Sequence, residues 1–439
     1  EAIKAADYPT NYHGCPAGSL GSPDTIKLPA GLFTLSSALP NIASEIVVIG
    51  KGAENTIIQA SACNPITQPE GCTPATYNIF NVLSMGDLVL NGITLRYGNM
   101  VDYGGAISND GNLDLIDCKL TANKALDGGG IFNYSGNVNI TNSILVGNVA
   151  SSATGGGIFS YGSIVLNTST IIDNTAFWGG GGIFIANQGT LMISNSTISN
   201  NKADDGAGSG YGGGIFSYGK FSITNSTLSG NYSCENGGGI YNADKLDIHN
   251  STVYGNISDM GVGGVYISNA GEMNFSNTII ANSTNKVGDP VMDCYSNGTI
   301  NTDYHNLIVK NGSISEGKNC GTPILKEDPK LYPLGDYGGP TQTHALKKDS
   351  PAIDVEDGDP KKCPATDQRG MLRPQDGDND SKALCDIGAF EFRLTNNAPE
   401  FTSREKTTAI VGELYAYTIT AEDKDRDKIW IKAPPFPDW

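Results

Sequence analysis

The chain has 439 residues, 46 acidic against 28 basic side chains and a formal charge of −18. That balance argues against nucleic-acid binding, which needs clustered cations to neutralise phosphate. No run approaches the roughly 20 apolar residues that span a bilayer; the length has room for two or three domains, and the chain is rich in Gly, Asn, Ser and Thr.

Residues 1–40 are expected to form the N-terminal cap of a larger domain. They open on "EAIKAAD", which reads as the interior of a helix, and both chain ends look like cuts in a longer protein. Cys63 and Cys72 then bracket a Pro- and Thr-rich loop, and Cys294 with Cys320 and Cys363 with Cys385 flank later variable segments. Three local pairs predict three disulfides and a secreted or cell-surface setting. None of these cysteines has the C-x-x-C spacing or neighbouring histidine of a zinc site. Of the other three, Cys15, Cys118 and Cys234, the second lies in "LDLIDCKL" and is expected to be a buried thiol.

Residues 41–310 carry a repeat. Aligning the residue after each glycine cluster gives Ile107, Ile131, Ile158, Ile183, Ile215, Ile240 and Val265, spaced by 24, 27, 25, 32, 25 and 25 residues. Each unit reads as glycines, "IF" or "IY", a polar turn, "LxI", "NST" or "NSI", and finally "GN" or "NN". These short alternating segments, rich in Ile, Val and Thr, read as strands. A unit of about 25 residues cannot bury its own apolar face, so units must stack. The expected fold is all-β: a right-handed parallel β-helix, with coils rising by about 4.8 Å.

The triple glycine of "GGGIFSYG", at 155–162 and again at 212–219, could cradle a phosphate. That reading needs one glycine loop opening a helix beside a lysine. Repetition before strands instead marks a corner too tight for a Cβ or requiring positive φ. The Asn of "NST", at Asn142, Asn195, Asn225 and Asn250, is expected to point inward as a hydrogen-bonded ladder. The chain holds 13 N-x-S/T sequons. Asn231, Asn256, Asn297 and Asn311 are expected in loops and are the glycosylation candidates.

If Ile158 points inward, Phe159 points outward. The same alternation sets Phe132, Phe184, Phe216, Tyr241 and Tyr266 in one external column with Tyr134, Tyr161 and Tyr218 beside it. The column either stacks on itself for stability or forms a face for glycans or another copy of the protein.

Residues 311–396 read as a C-terminal cap. They contain Gly338-Gly339-Pro340-Thr341, Thr343-His344-Ala345-Leu346, Ser350-Pro351-Ala352-Ile353-Asp354, Asp367-Gln368-Arg369-Gly370 and Cys385-Asp386-Ile387-Gly388-Ala389-Phe390-Glu391. With "PDTIKLPAGLFTL" near the start, these motifs resemble the bacterial and archaeal surface β-helix proteins with choice-of-anchor Q and CSLREA segments. The resemblance covers roughly residues 1–392 and implies a secreted or surface-attached β-helix, with no catalytic residues to carry over. In that family a Cys precedes "LREAI". Glu1-Ala2-Ile3 match its tail, so the resemblance implies that Cys15 pairs with a residue before position 1. Residues 397–439, with "ELYAYTITA", are similar to the first half of an Ig-like or cadherin-like module, so a partial β-sandwich is expected there. Its missing strands would come from later chain or a neighbouring molecule.

Calcium is the cofactor that two acidic turns suit. "DGDND" alternates Asp376, Asp378 and Asp380, and "EDKDRDK" alternates Asp423, Asp425 and Asp427. Alternating carboxylates offer hard oxygen ligands, although neither turn has the full EF-hand pattern and a solvated acidic turn fits the first set equally well. Catalytic sets are harder to assemble. Polygalacturonase-like hydrolases order Asn-Thr-Asp, an Asp pair, Gly-His-Gly and Arg-x-Lys. Here Asn301-Thr302-Asp303 follows Asp204-Asp205, and none of the four histidines lies in Gly-His-Gly. Arg96 is expected to face solvent, and His344 to be structural.

The function this supports is an extracellular structural or adhesive surface protein. It would be a rigid rod serving as adhesin, stalk or filament subunit, self-associating through its Ig-like segment or binding other surface proteins. The alternatives are a polysaccharide-binding protein and a polysaccharide lyase or hydrolase on a β-helix.

Overall fold

The structure, a computed structural model, describes residues 1–6, 15, 18, 22–285, 292–312, 318–355, 363–394, 399–403, 408, 418–422 and 429. Among these, the strands form parallel sheets of 11, 11, 7 and 9 strands and one two-stranded antiparallel pair, Glu400–Phe401 with Ala421–Glu422. The chain visits the four parallel sheets in turn, once per coil, which makes a β-solenoid. In one coil the visits are Ile131–Asn133, Asn137–Thr141, Ile144–Val146 and Val149–Ala150. Eleven strands at about 4.8 Å give a stack roughly 50 Å long.

The first rung already lies within the segment expected as the N-terminal cap. Asp24–Lys27 pairs in register with Ile46–Ile49, and Gly31–Thr34 with Thr56–Gln59. A short helix, Ala2–Ala6, buries Ile3 and Ala5, and Ile3 joins the solenoid core. At the other end the last rungs are Thr299–Tyr304 and Leu307–Ile308.

Strand alternation builds the core. Val138 and Ile140 point in while Asn137, Asn139 and Thr141 are exposed. Exact register then stacks Leu113, Val138, Ile164, Leu191, Phe221, Leu246 and Met273 in one inner column. Each buried side chain of this size contributes about 1.5–3 kcal/mol of transfer free energy. The glycine cluster meets both expectations set for it. Gly155 has φ of 70°, and a Cβ on Gly156 would lie 2.3 Å from the Gly181 carbonyl of the next coil.

Two polar ladders run through the corners. At the first corner the Asn of "NST" is not the inward residue. Asn142, Asn195, Asn225 and Asn250 take the left-handed conformation, φ 47–50°, which Asn tolerates better than most residues. The following serine points in, so that Ser143, Ser169, Ser196, Ser226 and Ser251 each accept from the main-chain N–H one coil earlier. Cys118 occupies the same position and is a buried free thiol, as expected, pushed up to about 11 by burial.

At the second corner Asn123, Asn148, Asn174, Asn201, Asn231 and Asn256 form a continuous ladder. Each Nδ2 donates to the next Oδ1 at 2.9–3.0 Å. All six side chains are sealed from solvent. This corrects the glycosylation reading of Asn231 and Asn256: an inward carboxamide in a closed core has no room for a glycan. Asn311 is also committed, since its carboxamide donates to the Gly321 carbonyl and accepts from the Cys320 N–H. Asn297 is half-buried and donates to Tyr266 Oη. Among the described residues, the sequon asparagines that face solvent are Asn139, Asn282 and Asn379.

The three expected disulfides are present, with Cα separations of 5.5 Å for Cys63–Cys72, 5.9 Å for Cys294–Cys320 and 6.0 Å for Cys363–Cys385. Cys15, Cys118 and Cys234 are free among the described residues. There, no helix is long and apolar enough to cross a membrane.

Asn201→Ala should be far more costly than Asn137→Ala. The first leaves the buried Asn174 main-chain N–H without its acceptor, at about 1–3 kcal/mol, and removes the side-chain bonds from Asn201 to the Ile171 carbonyl and Asn231 Oδ1; the second alters only the exposed face. Urea unfolding midpoints of the two variants would measure the difference.

Candidate functional site

Three features carry chemistry beyond the solenoid core: the aromatic column, the C-terminal cap and an acidic turn. The column stands on the outer face of the nine-stranded sheet, as alternation predicts. Ile158 belongs to the interior core while Phe159 joins a separate cluster with Phe132, Phe184 and Phe216. Ring centroids succeed one another at 4.8, 5.0 and 5.2 Å from Phe132 to Phe216, then 4.7, 5.0 and 6.0 Å through Tyr241, Tyr266 and Tyr295. Such pairs add about 0.5–1.5 kcal/mol beyond burial.

The four phenylalanines are only 4–8% exposed, because Tyr134, Tyr161 and Tyr218 lean across them. Phe132, Phe159 and Phe184 stack face to face and Phe216 meets Phe184 edge-on, which withdraws them from the expected contact face. The exposed rings are the flanking Tyr134, Tyr161 and Tyr218, at 62, 48 and 45%, and Tyr103, at 47%, which stacks on Phe132 at the start of the column. Beyond Phe216 the column changes. Its rings become half-buried tyrosines, the flanking positions become Ala243, Ser268 and Asn297, and an open cleft of about 520 Å³ lies against Tyr266 and Tyr295.

The C-terminal segment folds back over the outer face of the second eleven-stranded sheet. Its quoted motifs are the contacts. Thr341 donates to the Asn195 carbonyl, Thr197 to the Gln342 carbonyl, and Thr227 meets Thr343 and Gln368 at 2.9 and 2.6 Å. The Gly388 and Ala389 N–H groups donate to the Asn277 carbonyl and Thr252 Oγ1. Leu331, Leu346, Ala352, Ile387 and Phe390 form a second core against Ile279, Ala281 and Leu307. His344 places Nδ1 2.8 Å from the Tyr332 carbonyl and Nε2 2.8 Å from Ser229 Oγ. A carbonyl can only accept, so Nδ1 carries the proton and Nε2 accepts from the serine. This Ser–His pair resembles a nucleophile and base, but both members are buried beneath the cap.

Besides Asp354, five charged side chains are enclosed under the same cap: Asp367, Arg369, Arg373, Asp386 and Glu391. Arg369 lies 2.7 Å from Asp367 and 3.5 Å from the centre of the Phe390 ring. Arg373 lies 3.5 Å from Glu391. Three carboxyl groups face two guanidinium groups, so burial pushes Asp386 up and pushes Glu391 up to about 7. Burial shifts His344 the other way, lowering its pKa.

The acidic turn assembles differently from its sequence pattern. Asp376 and Asp378 are joined by Asp354, with one carboxylate oxygen of each within 4.8 Å of the others, a group that could hold a metal ion. Asp380 is not part of it and lies 3.5 Å from Lys382. In the sequence Asp354 stands out only as the end of "SPAID". Its carboxylate accepts N–H groups from Gly377, Asp378 and Leu384, and so shapes the turn. Asp423, Asp425 and Asp427 lie outside the described residues. A further polar cluster links Lys202 to Asp204 at 2.7 Å, Cys234 to Asp204 at 3.2 Å and Tyr232 to Asp259 at 2.5 Å. Its members engage one another, and burial pushes the Cys234 thiol up to about 11. Arg96 binds Gln59 and lies over the Tyr97 ring, and Asp303 accepts from Asn306 and the loop at Thr322.

The cap and its acidic turn generate two expected outcomes. Glu391, raised from 4.5 to about 7, binds its proton more tightly folded than unfolded. Its stabilising contribution is complete below pH 4.5 and is lost as pH rises to about 7. His344 titrates in the opposite sense over part of that window, so the comparison is with Glu391→Gln: wild type should lose stability relative to the variant between pH 5 and 8, read from melting temperatures. Calcium, which suits carboxylate oxygens, should raise the wild-type melting temperature by a few degrees, and Asp376→Asn with Asp378→Asn should abolish that rise. No family model, curated protein or solved structure matches the chain.

Proposed function

We propose that the protein is an extracellular structural element, a rigid β-helical rod serving a surface or adhesive assembly. The observation that carries this reading is how the polar groups are spent. Corner amides, serines and asparagines pair coil to coil, and His344, Asp367, Arg369, Arg373, Asp386 and Glu391 are enclosed in the cap. Such an arrangement gives stiffness, because bending would break in-register bonds on several sides at once. Three disulfides and an acidic surface suit an oxidising exterior.

Self-association through the C-terminal segment belongs to the same proposal. The antiparallel pair there, Glu400–Phe401 with Ala421–Glu422, would take up a strand from a neighbouring copy. Calcium at the Asp354 turn is its proposed ligand, stiffening the cap. Electron microscopy of the natively purified protein tests the proposal. Filaments or end-to-end chains are expected, and chelator should shorten them. Dispersed single rods in both conditions would contradict self-association.

A further inference from the structure

We propose that the aromatic face at the N-terminal end of the column, centred on Tyr134 and Tyr161, is a docking surface for an arginine-bearing segment of a partner protein. This goes beyond the rod reading and does not depend on it, since self-association is assigned to the C-terminal segment and not to this face.

The first observation is a group of exposed rings on a closed aromatic floor. Phe132 and Phe159 stack at 4.8 Å and are buried. Around them Tyr103 stacks on Phe132 at 4.5 Å, Tyr134 stands 6.4 Å from Phe132, and Tyr161 stands 5.0 Å from Phe159. Tyr134 and Tyr161 meet at 6.0 Å with ring planes 63° apart, an edge contact that does not cover their faces. In the next coil the flanking residue is Ala186, which ends the group. Three large rings exposed together mark an interaction surface more than a stabilising stack, and tyrosine is among the residues that contribute most at interfaces.

The second observation is charge. The corner, strand and turn that build this face in four successive coils are residues 101–111, 126–137, 150–163 and 176–190, all of them described. They contain no lysine, arginine or histidine, and their acids are Asp102, Asp110 and Asp127. Asp102 precedes Tyr103, and Asp127 bridges to Tyr103 from the following coil. Asp110 accepts from Ser135, the residue after Tyr134. None of the three forms an ion pair among the described residues. The hydroxyls of Ser135 and Thr154 that bond Asp110 and Asp127 are neutral and leave the charge uncompensated.

Charge complementarity picks the occupant. Arginine meets both features at once, because its guanidinium pairs with carboxylates and stacks on aromatic faces. A chain at −18 also attracts a cationic segment at long range. A second copy would bring the same aspartates and no cation to the contact, setting like charges opposite one another. A neutral sugar would use the rings but gain nothing from the net charge beside them.

The test is fluorescence anisotropy of labelled peptides that alternate glycine with arginine, glutamate or serine, titrated with the folded protein. The arginine peptide should bind, and added salt should weaken it. Tyr134→Ala combined with Tyr161→Ala should weaken binding about tenfold, whereas the two phenylalanine replacements, which keep the ring faces, should retain most of it. Asp102→Asn, Asp110→Asn and Asp127→Asn together should weaken it by a similar factor. Tyr218→Ala, beyond Ala186, and Asp173→Asn, at the corner between the second eleven-stranded and the seven-stranded sheets, should bind as wild type. If the alanine pair fails to fold by circular dichroism, the three asparagine replacements carry the test. Arginine-peptide binding that ignores both sets of changes would be owed to the general negative charge and would overturn the proposal. Equal binding of the serine peptide, preference for neutral oligosaccharides over the arginine peptide, or self-association that the alanine pair abolishes would overturn it as well. Filaments are read by microscopy and peptide binding by anisotropy, so either proposal can fail alone.

Discussion

Coil-to-coil hydrogen bonding at the corners is the constraint on which the rest of this structure depends. Parallel strands supply bonds along the flat faces, but every coil must also turn, and a turn leaves main-chain groups without ladder partners. Here the turning residue takes positive φ and the next side chain points inward to replace the missing partner. Serine does this at one corner and asparagine at the other. An asparagine ladder has a further consequence. Each carboxamide accepts from a main-chain N–H and a side-chain N–H of the preceding coil, so a slip of one residue would break several bonds at once. Register is therefore held even where coil length varies, as in the longer coil through residues 204–210.

With register fixed, outer-face columns become regular surfaces, and the chain uses them in different ways. One column seals itself with stacked rings and then opens into a cleft where tyrosine replaces phenylalanine. Another, on the second eleven-stranded sheet, is covered by the C-terminal segment. That covering explains why motif residues with catalytic appearance are enclosed. His344, Gln368 and Arg369 act by meeting the carbonyls and hydroxyls of the face below and of the cap itself. Burial there raises the affinity of Glu391 for a proton, with the Asp367 carboxylate adding to it, which links cap stability to pH.

Much of the fold was legible because a stack repeats its own signal. Ile107, Ile131 and their successors align by eye, and inward and outward alternation comes from strand geometry. The local pairing of Cys63 with Cys72, Cys294 with Cys320 and Cys363 with Cys385 also carried over to real bridges. The corners were harder. "NST" and "GN" both contain asparagine beside a turn, and the sequence does not say which residue adopts positive φ. Reading Asn as the inward residue of "NST" shifted the ladder by one position and left Asn231 and Asn256 as loop sequons. A rule taken from the second corner, a left-handed residue followed by an inward polar one, would have placed both ladders. Asp354 was illegible for another reason: it is distant from Asp376 in sequence and reaches it only through the cap's fold.

Native-state hydrogen exchange with amide resolution would test the central claim most directly. If the corner ladders lock the coils, the amides of Asn123, Asn148, Asn174, Asn201 and Asn231 exchange only through global unfolding, with similar protection in every coil. Protection that falls progressively from coil to coil, with corner amides exchanging faster than strand amides beside them, would contradict the account.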